Sequence, residues 1–485
     1  MRRKPRAMNF PLIFNLLGAV LMIVSLFMLV PVGVSALYSG PDLMPLLYSA
    51  LAALATGAVL NLSTRKHSKE DFRHRDVFAA VTISWLAVSF FGCLPYIFSG
   101  VVGSFTDAYF ESMAGFTTTG ATVIDEVEAL PRGVLFWRSF TQWLGGMGII
   151  LFALAVMPFL GSRGMQLFKA EVPEITVERL RPRLIDTAKH LWFIYLGLTG
   201  AAFLVYLVGG MSIFDAVCHA FTSLATGGFS TKTASIAHFD SAFIDVACTV
   251  FMFLAGVNYG LYFFALRGSP GRFLHSTEFK FYLTMALGAT ALIALSVYDS
   301  SYASVWDSLR YASFQAVSIM TTTGYSTADY EAWMPFAQVL LVLLMFCGGM
   351  IGSTGGGMKQ VRILLMFRQG YRELYQLIHP HAVTNVKVDG RVMSKEILGS
   401  IWGFLFLFLL TSSVAVMAMA ALGLDIVTSF STVVSAMSNV GPALGEAGPT
   451  DNYASMPAAG KWVLAFCMLA GRLEIYTVLV LVVPR

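Results

Sequence analysis

The sequence of 485 residues is too apolar for an ordinary soluble protein, because 56% of its residues are hydrophobic and only 12% are charged. Soluble domains carry about 25% charged residues. The net charge is +4, and the five cysteines lie scattered in apolar segments, without the clustering that a disulfide framework or a cysteine metal site needs. We therefore expect a membrane protein whose cysteines are small core residues.

The N-terminus is basic and continues into a long apolar stretch. This stretch is too long for the apolar core of a signal peptide and has no clear cleavage site, so we expect it to remain as the first membrane helix. A helix needs about 20 apolar residues to span a bilayer. Two such segments, near 10–37 and 44–62, predict an N-terminal helix pair within residues 1–75.

A short phrase that ends in glycine occurs four times in the rest of the chain. The copies end at Gly120, Gly228, Gly324 and Gly441. Each copy follows a short apolar segment that opens on an aspartate, and these aspartates are Asp107, Asp215, Asp307 and Asp425. Self-similarity with a period of about a hundred residues indicates one structural unit that occurs several times.

Each phrase lies between two apolar segments that are long enough to span a membrane. These pairs lie near 77–99 and 134–160, 189–209 and 241–266, 279–298 and 335–367, and 397–423 and 459–484. We predict an all-α polytopic membrane protein with ten transmembrane helices: the N-terminal pair and four parallel helix–re-entrant pore loop–helix repeats around one pore. The four repeats have the boundaries 76–185, 186–275, 276–395 and 396–485.

The short apolar segments cannot span the membrane. About ten residues form about 15 Å of helix, half of a hydrocarbon core of about 30 Å. We expect re-entrant half-helices, each followed by an extended return that is buried in protein or lines water. Each opening aspartate is expected to accept hydrogen bonds from free backbone amides as the N-cap. Capping alone, without any functional role for the aspartates, remains an open alternative.

The basic residues predict the orientation of the chain. Lysine and arginine are enriched in cytoplasmic loops, and 25 of the 32 lie in five alternate loops if both termini are cytoplasmic. Those loops are 1–9, 62–76, 161–189, 267–280 and 359–396. This arrangement places all four glycine phrases on the outer side.

The glycine phrases are typical of a cation filter. A row of backbone carbonyls can replace the hydration shell of a cation, and aiming successive carbonyls inward requires backbone conformations that suit glycine. A threonine beside the glycine can add its hydroxyl or place its methyl behind the wall. Four such phrases, each after a half-helix, predict a four-unit pore.

The third unit departs from the others in a glycine-rich run from Cys347 to Lys359. Each glycine costs helix stability about 1 kcal/mol relative to alanine, so the helix is expected to open into a loop near mid-membrane. A flexible obstacle next to a filter would act as a gate. The alternative is a tight packing site for a neighbouring helix.

Two charged residues lie in predicted membrane segments. An arginine within the membrane, such as Arg472, is energetically costly and is therefore a candidate functional residue. If it faces the pore, it would raise the barrier to cations. The alternative is a structural salt bridge with Glu474 or another buried acid. Glu111, inside the first half-helix, is expected either to brace the filter from behind or to act on cations directly.

Other motifs give weaker signals. Six acidic residues of the outer loops either concentrate cations at the mouth or are simply solvated: Asp125, Glu126, Glu128, Asp329, Glu331 and Glu446. The histidines, including His67, His74, His379 and His381, show no metal-ligand spacing. The sequence contains no catalytic constellation that would suit an intramembrane enzyme and no phosphate-binding motif.

Taken together, these motifs resemble the Trk/Ktr/HKT superfamily of potassium transport proteins. The resemblance rests on the four glycine phrases, on Gln142-Trp-Leu-Gly-Gly-Met-Gly-Ile-Ile150, on Gly352-Ser-Thr-Gly-Gly-Gly357 and on Gly471-Arg-Leu-Glu474, and it covers essentially the whole chain. It implies a potassium-selective pore, with potassium as the substrate and no cofactor bound by this chain.

The resemblance also implies site residues. The implied ion-binding filter positions are Thr118, Thr119, Gly120, Thr226, Gly227, Gly228, Thr322, Thr323, Gly324, Asn439, Val440 and Gly441. The implied gate consists of Gly348, Gly349, Gly352, Ser353, Thr354, Gly355, Gly356, Gly357 and Arg472. The fourth phrase, Ser438-Asn-Val-Gly-Pro442, lacks the threonines of the first and third, which predicts only approximate fourfold symmetry.

Partners and location follow from the same resemblance. It implies a homodimer in the bacterial inner membrane, with no nucleic acid, and a cytoplasmic ring of TrkA-like nucleotide-binding regulatory subunits. The basic loops 161–189 and 359–396 are the expected contact surfaces. Passive conduction is the favoured interpretation, and a potassium symporter coupled to protons or sodium is the alternative, although coupling would favour inverted repeats.

Overall fold

The computed structural model describes residues 8–67, 74–156, 180–382 and 384–481. Within these ranges, the side chains of residues 74, 149–156 and 180–187 are not described. The described chain is mainly α-helical, as predicted. Within these ranges, two-residue strands β1 (Lys387–Val388) and β2 (Arg391–Val392) form one small antiparallel hairpin. Most of the predicted loop 161–189 lies outside the described residues.

Six described helices are long and apolar enough to cross a membrane by length and composition. They are α1 (Phe10–Leu37), α2 (Leu43–Ser63), α3 (His74–Phe98), α6 (Leu180–Val208), α11 (Thr277–Val297) and α15 (Lys395–Ala421). A seventh span results if α8 (Ala242–Ala255) and α9 (Tyr259–Leu266) are taken together. The helix α5 (Arg132–Val156) has 25 residues. The count of ten spans therefore stays a prediction.

The outer faces of these helices are apolar and exposed. Leu295 is 75% exposed, Val208 81% and Phe406 65%. Large exposed apolar surface is rare on soluble monomers and marks contact with a membrane or a partner. Most residues of the four short helices, by contrast, are buried.

The N-terminal pair is fixed to the first unit by one buried carboxylate. Asp42 follows α1 and is 1% exposed. Its Oδ1 accepts from Ser35 Oγ at 2.5 Å, and its Oδ2 accepts from Val134 N in the first turn of α5 at 2.7 Å. This carboxylate satisfies a free amide at the start of α5 and so positions the helix that carries several side chains of the site.

The predicted helix over 241–266 is wrong as a single straight element. It is broken into α8 and α9, which are bent by 93°. The break receives the glycine-rich loop of the third unit: Met350 N donates to Gly256 O at 2.9 Å, and Tyr259 N donates to Gly352 O at 3.1 Å. Asn258 caps α9 by accepting from Gly260 N at 2.7 Å.

Two other predicted helices are also interrupted. The segment 335–367 consists of α13 (Pro335–Met345) and α14 (Gln360–Ile378), with the glycine-rich loop between them, as the glycine content predicted. The segment 459–484 consists of α17 (Ala458–Arg472) and α18 (Ile475–Leu479). The second break occurs at Glu474, whose φ is +56°. A short helix, α10 (Gly271–His275), precedes α11.

The four short segments are helices, slightly longer than predicted. They are α4 (Phe105–Phe116), α7 (Ile213–Leu224), α12 (Val305–Met320) and α16 (Ile426–Ser438), with 12, 12, 16 and 13 residues. At about 1.5 Å per residue, the three shorter ones reach only about two thirds of a hydrocarbon core of about 30 Å.

The prediction that the aspartates are N-caps is wrong for three of the four helices. Ser104, Ser212 and Ser304 cap α4, α7 and α12 with their hydroxyls. Their aspartates follow three residues later, in the first turn, where a negative charge is favourable next to the helix dipole. Asp425 alone of the four caps its helix, accepting from Val427 N at 2.8 Å and from Thr428 N at 3.1 Å.

Candidate functional site

Each short helix ends in the same backbone turn. After α4, Thr118 N donates to Gly115 O at 3.0 Å and Thr119 N donates to Ala114 O at 2.9 Å, which is the paired pattern of a Schellman motif. The equivalent donor pairs after α7, α12 and α16 are Thr226 and Gly227, Thr322 and Thr323, and Asn439 and Val440. The four glycine phrases therefore share one local geometry.

The first residue of each turn has a left-handed backbone. The φ angles are +53° at Thr118, +53° at Thr226, +62° at Thr322 and +58° at Asn439. Glycine usually occupies this position, and asparagine tolerates it, but a β-branched threonine there is a genuine outlier. Such strain costs on the order of 1–3 kcal/mol per residue and clusters at functional sites. Three strained threonines therefore identify these turns as functional candidates.

The four glycines that end the phrases close a ring. Their φ angles lie between +79° and +106°. A Cβ atom added to each would overlap a carbonyl oxygen of the next phrase: Gly120 meets Gly227, Gly228 meets Thr323, Gly324 meets Val440 and Gly441 meets Thr119. The fourth contact returns to the first phrase, so the four phrases surround a common centre with carbonyl oxygens between neighbours.

In the first and third phrases, the threonine directly before the glycine uses its hydroxyl within the protein. Thr119 Oγ1 lies 2.8 Å from Thr117 Oγ1, and Thr323 Oγ1 lies 2.8 Å from Thr321 Oγ1. All four are fully buried. These hydroxyls tie each phrase back to the end of its helix.

The second phrase, which has glycine in place of that threonine, is held by Gln142 of α5. Gln142 Nε2 donates to Gly227 O at 2.6 Å, and its Oε1 accepts from Phe229 N at 3.0 Å. A Cβ atom at Gly227 would overlap the Gln142 amide. The Gln142 amide thus takes the place of the threonine side chain of the first and third phrases, and it fixes the position of the second phrase.

The fourth phrase is joined to the first through an asparagine amide. Asn439 Nδ2 donates to Thr119 Oγ1 at 2.9 Å and to Met468 O of α17 at 2.9 Å. Asparagine suits this position for two reasons. Its backbone tolerates φ > 0, and its side chain forms a hydrogen bond between the last unit and the first.

A buried ion pair lies behind the first two phrases. Arg138 Nε donates to Glu111 Oε1 at 2.7 Å, and the two side chains are 2% and 0% exposed. Glu111 Oε2 also accepts from Val123 N at 2.9 Å, while Arg138 Nη1 donates to Ser230 O at 3.1 Å. Glu111 is committed to these bonds, which favours the brace over direct action on cations.

The glycine-rich loop, residues 348–357, packs against the turns at the ends of the short helices. Gly356 N donates to Thr322 Oγ1 at 2.7 Å, and Thr354 Oγ1 donates to Leu224 O at the end of α7 at 2.9 Å. A Cβ atom at Gly356 would lie 2.6 Å from Ser438 O. The loop therefore contacts the ends of three short helices, and glycine permits its closest approach.

Two cations hold consecutive carbonyls of this loop. Arg472 Nη1 donates to Thr354 O at 2.9 Å, and Lys359 Nζ donates to Gly355 O at 2.5 Å. The guanidinium is buried, with 3% exposure, and its Nη2 donates to Gly145 O at 3.3 Å. The predicted alternative partner, Glu474, instead pairs with Arg362 at 2.6 Å, so Arg472 contacts backbone oxygens of the loop and of α5.

Several of the remaining polar candidates have structural partners. Asp107 pairs with Lys461 at 2.6 Å, and Asp215 accepts from Thr231 Oγ1 at 2.6 Å. The hydrogen bonds from Thr428 lower the pKa of Asp425. Glu331 Oε1 accepts from Gly445 N at 2.6 Å, so this carboxylate also binds the loop after the fourth phrase.

The described residues contain no group of three or more histidine, cysteine or acidic side chains that could hold a metal ion. All five cysteines are free, and four are buried, as expected for core residues. Among the histidines singled out in the sequence, His379 and His381 are exposed and His67 is half-buried, and the side chain of His74 lies outside the described residues.

Sequence reasoning missed several residues that shape the site. In the sequence, Gln142 stands out only as part of a motif and Lys359 only as the end of a glycine-rich run, and Arg138 does not stand out. An available signal was the presence of polar residues within apolar helices, since such residues need buried partners. The partners themselves lie 27 and 85 residues away for Arg138 and Gln142.

The geometry defines a class of protein: an all-helical membrane protein with four glycine phrases arranged around a central ring. Comparison with known sequences assigns the family, because the TrkH family, described as "Cation transport protein", matches residues 46–485. The chain belongs to this family.

Individual relatives are similar over nearly their full length. The Trk system potassium uptake protein TrkH of Halomonas elongata is 40% identical over 98% of this chain and 99% of its own length. The Escherichia coli K12 protein of the same name is also 40% identical, with the same coverage. The crystal structure of the potassium transporter TrkH from Vibrio parahaemolyticus superposes with a TM-score of 0.91, at 38% identity, over 98% of this chain and 99% of that one.

Proposed function

We propose that this chain is the potassium-conducting membrane subunit of a potassium uptake system. The observation that carries the proposal is the closed ring of four glycine phrases, in which each glycine lies against a carbonyl of the next phrase. The relatives named above are potassium uptake proteins, and transport requires no catalytic residues in this chain.

Permeation occurs through the ring. Carbonyl oxygens of the four filter phrases replace the hydration shell of potassium as the ion passes, so potassium is the substrate and no cofactor takes part. The short helices support this step because their C-terminal ends meet the phrases, and the partial negative charge of a helix C-terminus favours a cation.

The gate is the loop 348–357 together with Arg472. The loop lies against the turns that begin the third and fourth phrases, where it blocks the exit from the ring. Arg472 and Lys359 bring two positive charges to this obstruction and raise the barrier to a cation. Conduction therefore requires the loop to leave its contacts with Thr322 and with the end of α7.

Regulation and placement complete the proposal. The chain acts as a homodimer in the bacterial inner membrane, with both termini cytoplasmic. A TrkA-like ring of nucleotide-binding subunits binds the basic loops 161–189 and 359–396. Exposed basic residues in the second of these loops, Lys387 and Arg391 among them, support that surface.

The test is rubidium uptake into liposomes that contain only the purified chain. We expect uptake without a proton or sodium gradient, blocked by potassium and only weakly by sodium. Protein-free liposomes and liposomes with the Gly324→Ser variant are the controls. Uptake that appears only when a proton or sodium gradient is imposed would indicate a symporter instead of a pore. No rubidium uptake in any of these conditions, followed by uptake when a TrkA-like ring is added, would support a regulated pore.

A further inference from the structure

The side-chain oxygens at the first position of the four phrases have unequal partners. Thr118 Oγ1 and Asn439 Oδ1 are buried and have no hydrogen-bond partner among the described residues. Thr226 Oγ1 donates to the carbonyl of its neighbour Ala225 at 2.6 Å. Thr322 Oγ1 accepts a hydrogen bond from Gly356 N of the gate loop at 2.7 Å. All four residues are fully buried.

The contact with Gly356 sets the third phrase apart. A buried polar atom is ordinarily hydrogen-bonded, so two unpartnered oxygens at equivalent positions indicate a place where a polar ligand belongs. Hydroxyl and amide oxygens are hard ligands of the kind that bind alkali cations. An N–H group that donates to such an oxygen occupies a lone pair of the oxygen, and its partly positive hydrogen lies where the cation would bind.

We propose that Thr322 is a positioning residue that couples the gate loop to the filter. The Gly356 amide occupies the Thr322 oxygen while the loop is closed. When the loop leaves, that oxygen joins those of Thr118 and Asn439 and completes a cation site at the loop-facing end of the phrases. This inference rests on the proposed function, because it assumes that a cation passes through the ring.

The coupling has a reciprocal consequence. If loop closure and cation occupancy compete for one oxygen, then a bound cation weakens loop closure by the same factor by which the closed loop weakens cation binding. Raising the potassium concentration should therefore increase the opening of the loop. A large cation that cannot enter the ring, such as N-methyl-D-glucamine, should have no such effect at equal ionic strength.

The experiment is hydrogen–deuterium exchange of residues 348–357 in the purified full chain, in potassium and in N-methyl-D-glucamine. Wild-type protein should exchange faster in potassium. Thr322→Val should exchange about fivefold faster without potassium, the factor that corresponds to one net hydrogen bond, and should respond less to potassium. Thr322→Ser keeps the hydroxyl and should resemble wild type in both respects. Thr322→Ala replaces the valine variant if that variant does not fold.

Thr354→Val is the matched control within the loop. It removes the hydrogen bond to Leu224 O but leaves the Thr322 oxygen in place, so loop exchange should rise while the potassium response remains. If Thr322→Val left exchange at the wild-type rate, or if it kept the full potassium response, the coupling would be disproved. Exchange needs no flux, so failure of rubidium uptake both without and with a TrkA-like ring, together with an intact exchange result, would reject the proposed pore and leave the contact between Thr322 and Gly356 standing.

Discussion

The ring of glycine phrases and the gate loop lie in contact but are held in different ways. Side chains brace the ring and its surroundings: the Glu111–Arg138 ion pair binds the segments that follow the first two phrases. The Gln142 amide binds the second phrase, and the Asn439 amide joins the fourth phrase to the first. The loop is held mainly through its own backbone, with Thr354 O and Gly355 O bound by Arg472 and Lys359.

This difference matches two physical requirements. A site that distinguishes ions by geometry must hold its ligands to within about 0.5 Å, which needs supporting side chains locked by packing and hydrogen bonds. A segment that moves must come from the low-stability part of the structure. The glycines of the loop supply few packing contacts of their own, and its tethers are individual hydrogen bonds that can break and reform.

The strongest test of the braced ring is Arg138→Met. This variant leaves Glu111 buried without its partner, which typically costs about 3–5 kcal/mol. We expect a large fall in the thermal unfolding midpoint of the purified protein. Lys232→Met is the control, because the Lys232–Asp215 pair is longer, at 3.8 Å, and more exposed, and such pairs contribute about 0–1 kcal/mol. Equal shifts in the two variants would show that the buried pair does not brace the ring.

The second test places a side chain in the ring. Gly324→Ser forces a Cβ atom against Val440 O at a φ of +79°, so the carbonyl must move. We expect rubidium-over-sodium discrimination to fall by about tenfold, equivalent to about 1.4 kcal/mol. Gly100→Ser is the control, because Gly100 has a φ of +70° but open space around it. If the Gly324→Ser variant kept the wild-type rubidium-over-sodium discrimination, Gly324 would not be part of the filter.

The parts of the site that follow from local sequence could be predicted. The phrases, the glycine-rich loop and Arg472 each stand out within a few residues, and the structure brings the loop and Arg472 together as neighbours of the phrases. The family is confirmed by the comparisons, whereas the roles of the twelve filter residues remain a prediction.

The parts that depend on distant partners could not be predicted. The break between α8 and α9 forms because a loop almost a hundred residues away supplies hydrogen bonds at Gly256 and Tyr259. The serine caps were missed because the aspartates, three residues later, are equally good caps by residue type. The left-handed threonines run against local preference, so only the surrounding structure explains them.

The third test releases the gate loop. Arg472→Ala removes the hydrogen bonds to Thr354 O and Gly145 O. A hydrogen bond to a charged group contributes about 1.5–3 kcal/mol, so we expect passive rubidium flux to rise by about tenfold or more. Lys359→Met should raise it less, since one contact is lost. Arg132→Ala is the control: Arg132 lies over the Tyr38 ring, away from the loop, and should leave flux as it is. Unaltered flux in a well-folded Arg472→Ala variant would assign this arginine a structural role.

The smallest effect is expected at the exposed end of the fourth short helix. Asp425→Ala removes an N-cap, which typically costs about 1 kcal/mol, whereas Asp425→Ser keeps a capping oxygen and should cost less. Because Asp425 contacts only the start of α16 among the hydrogen bonds described, the rubidium-over-sodium ratio should not change in either variant. Since hydrogen bonding lowers the pKa of Asp425, its contribution to stability should be present above its ordinary pKa and be lost as the pH falls through the lowered value. A changed ion ratio with normal stability would instead make this aspartate part of the cation path and would extend the functional region beyond the braced ring.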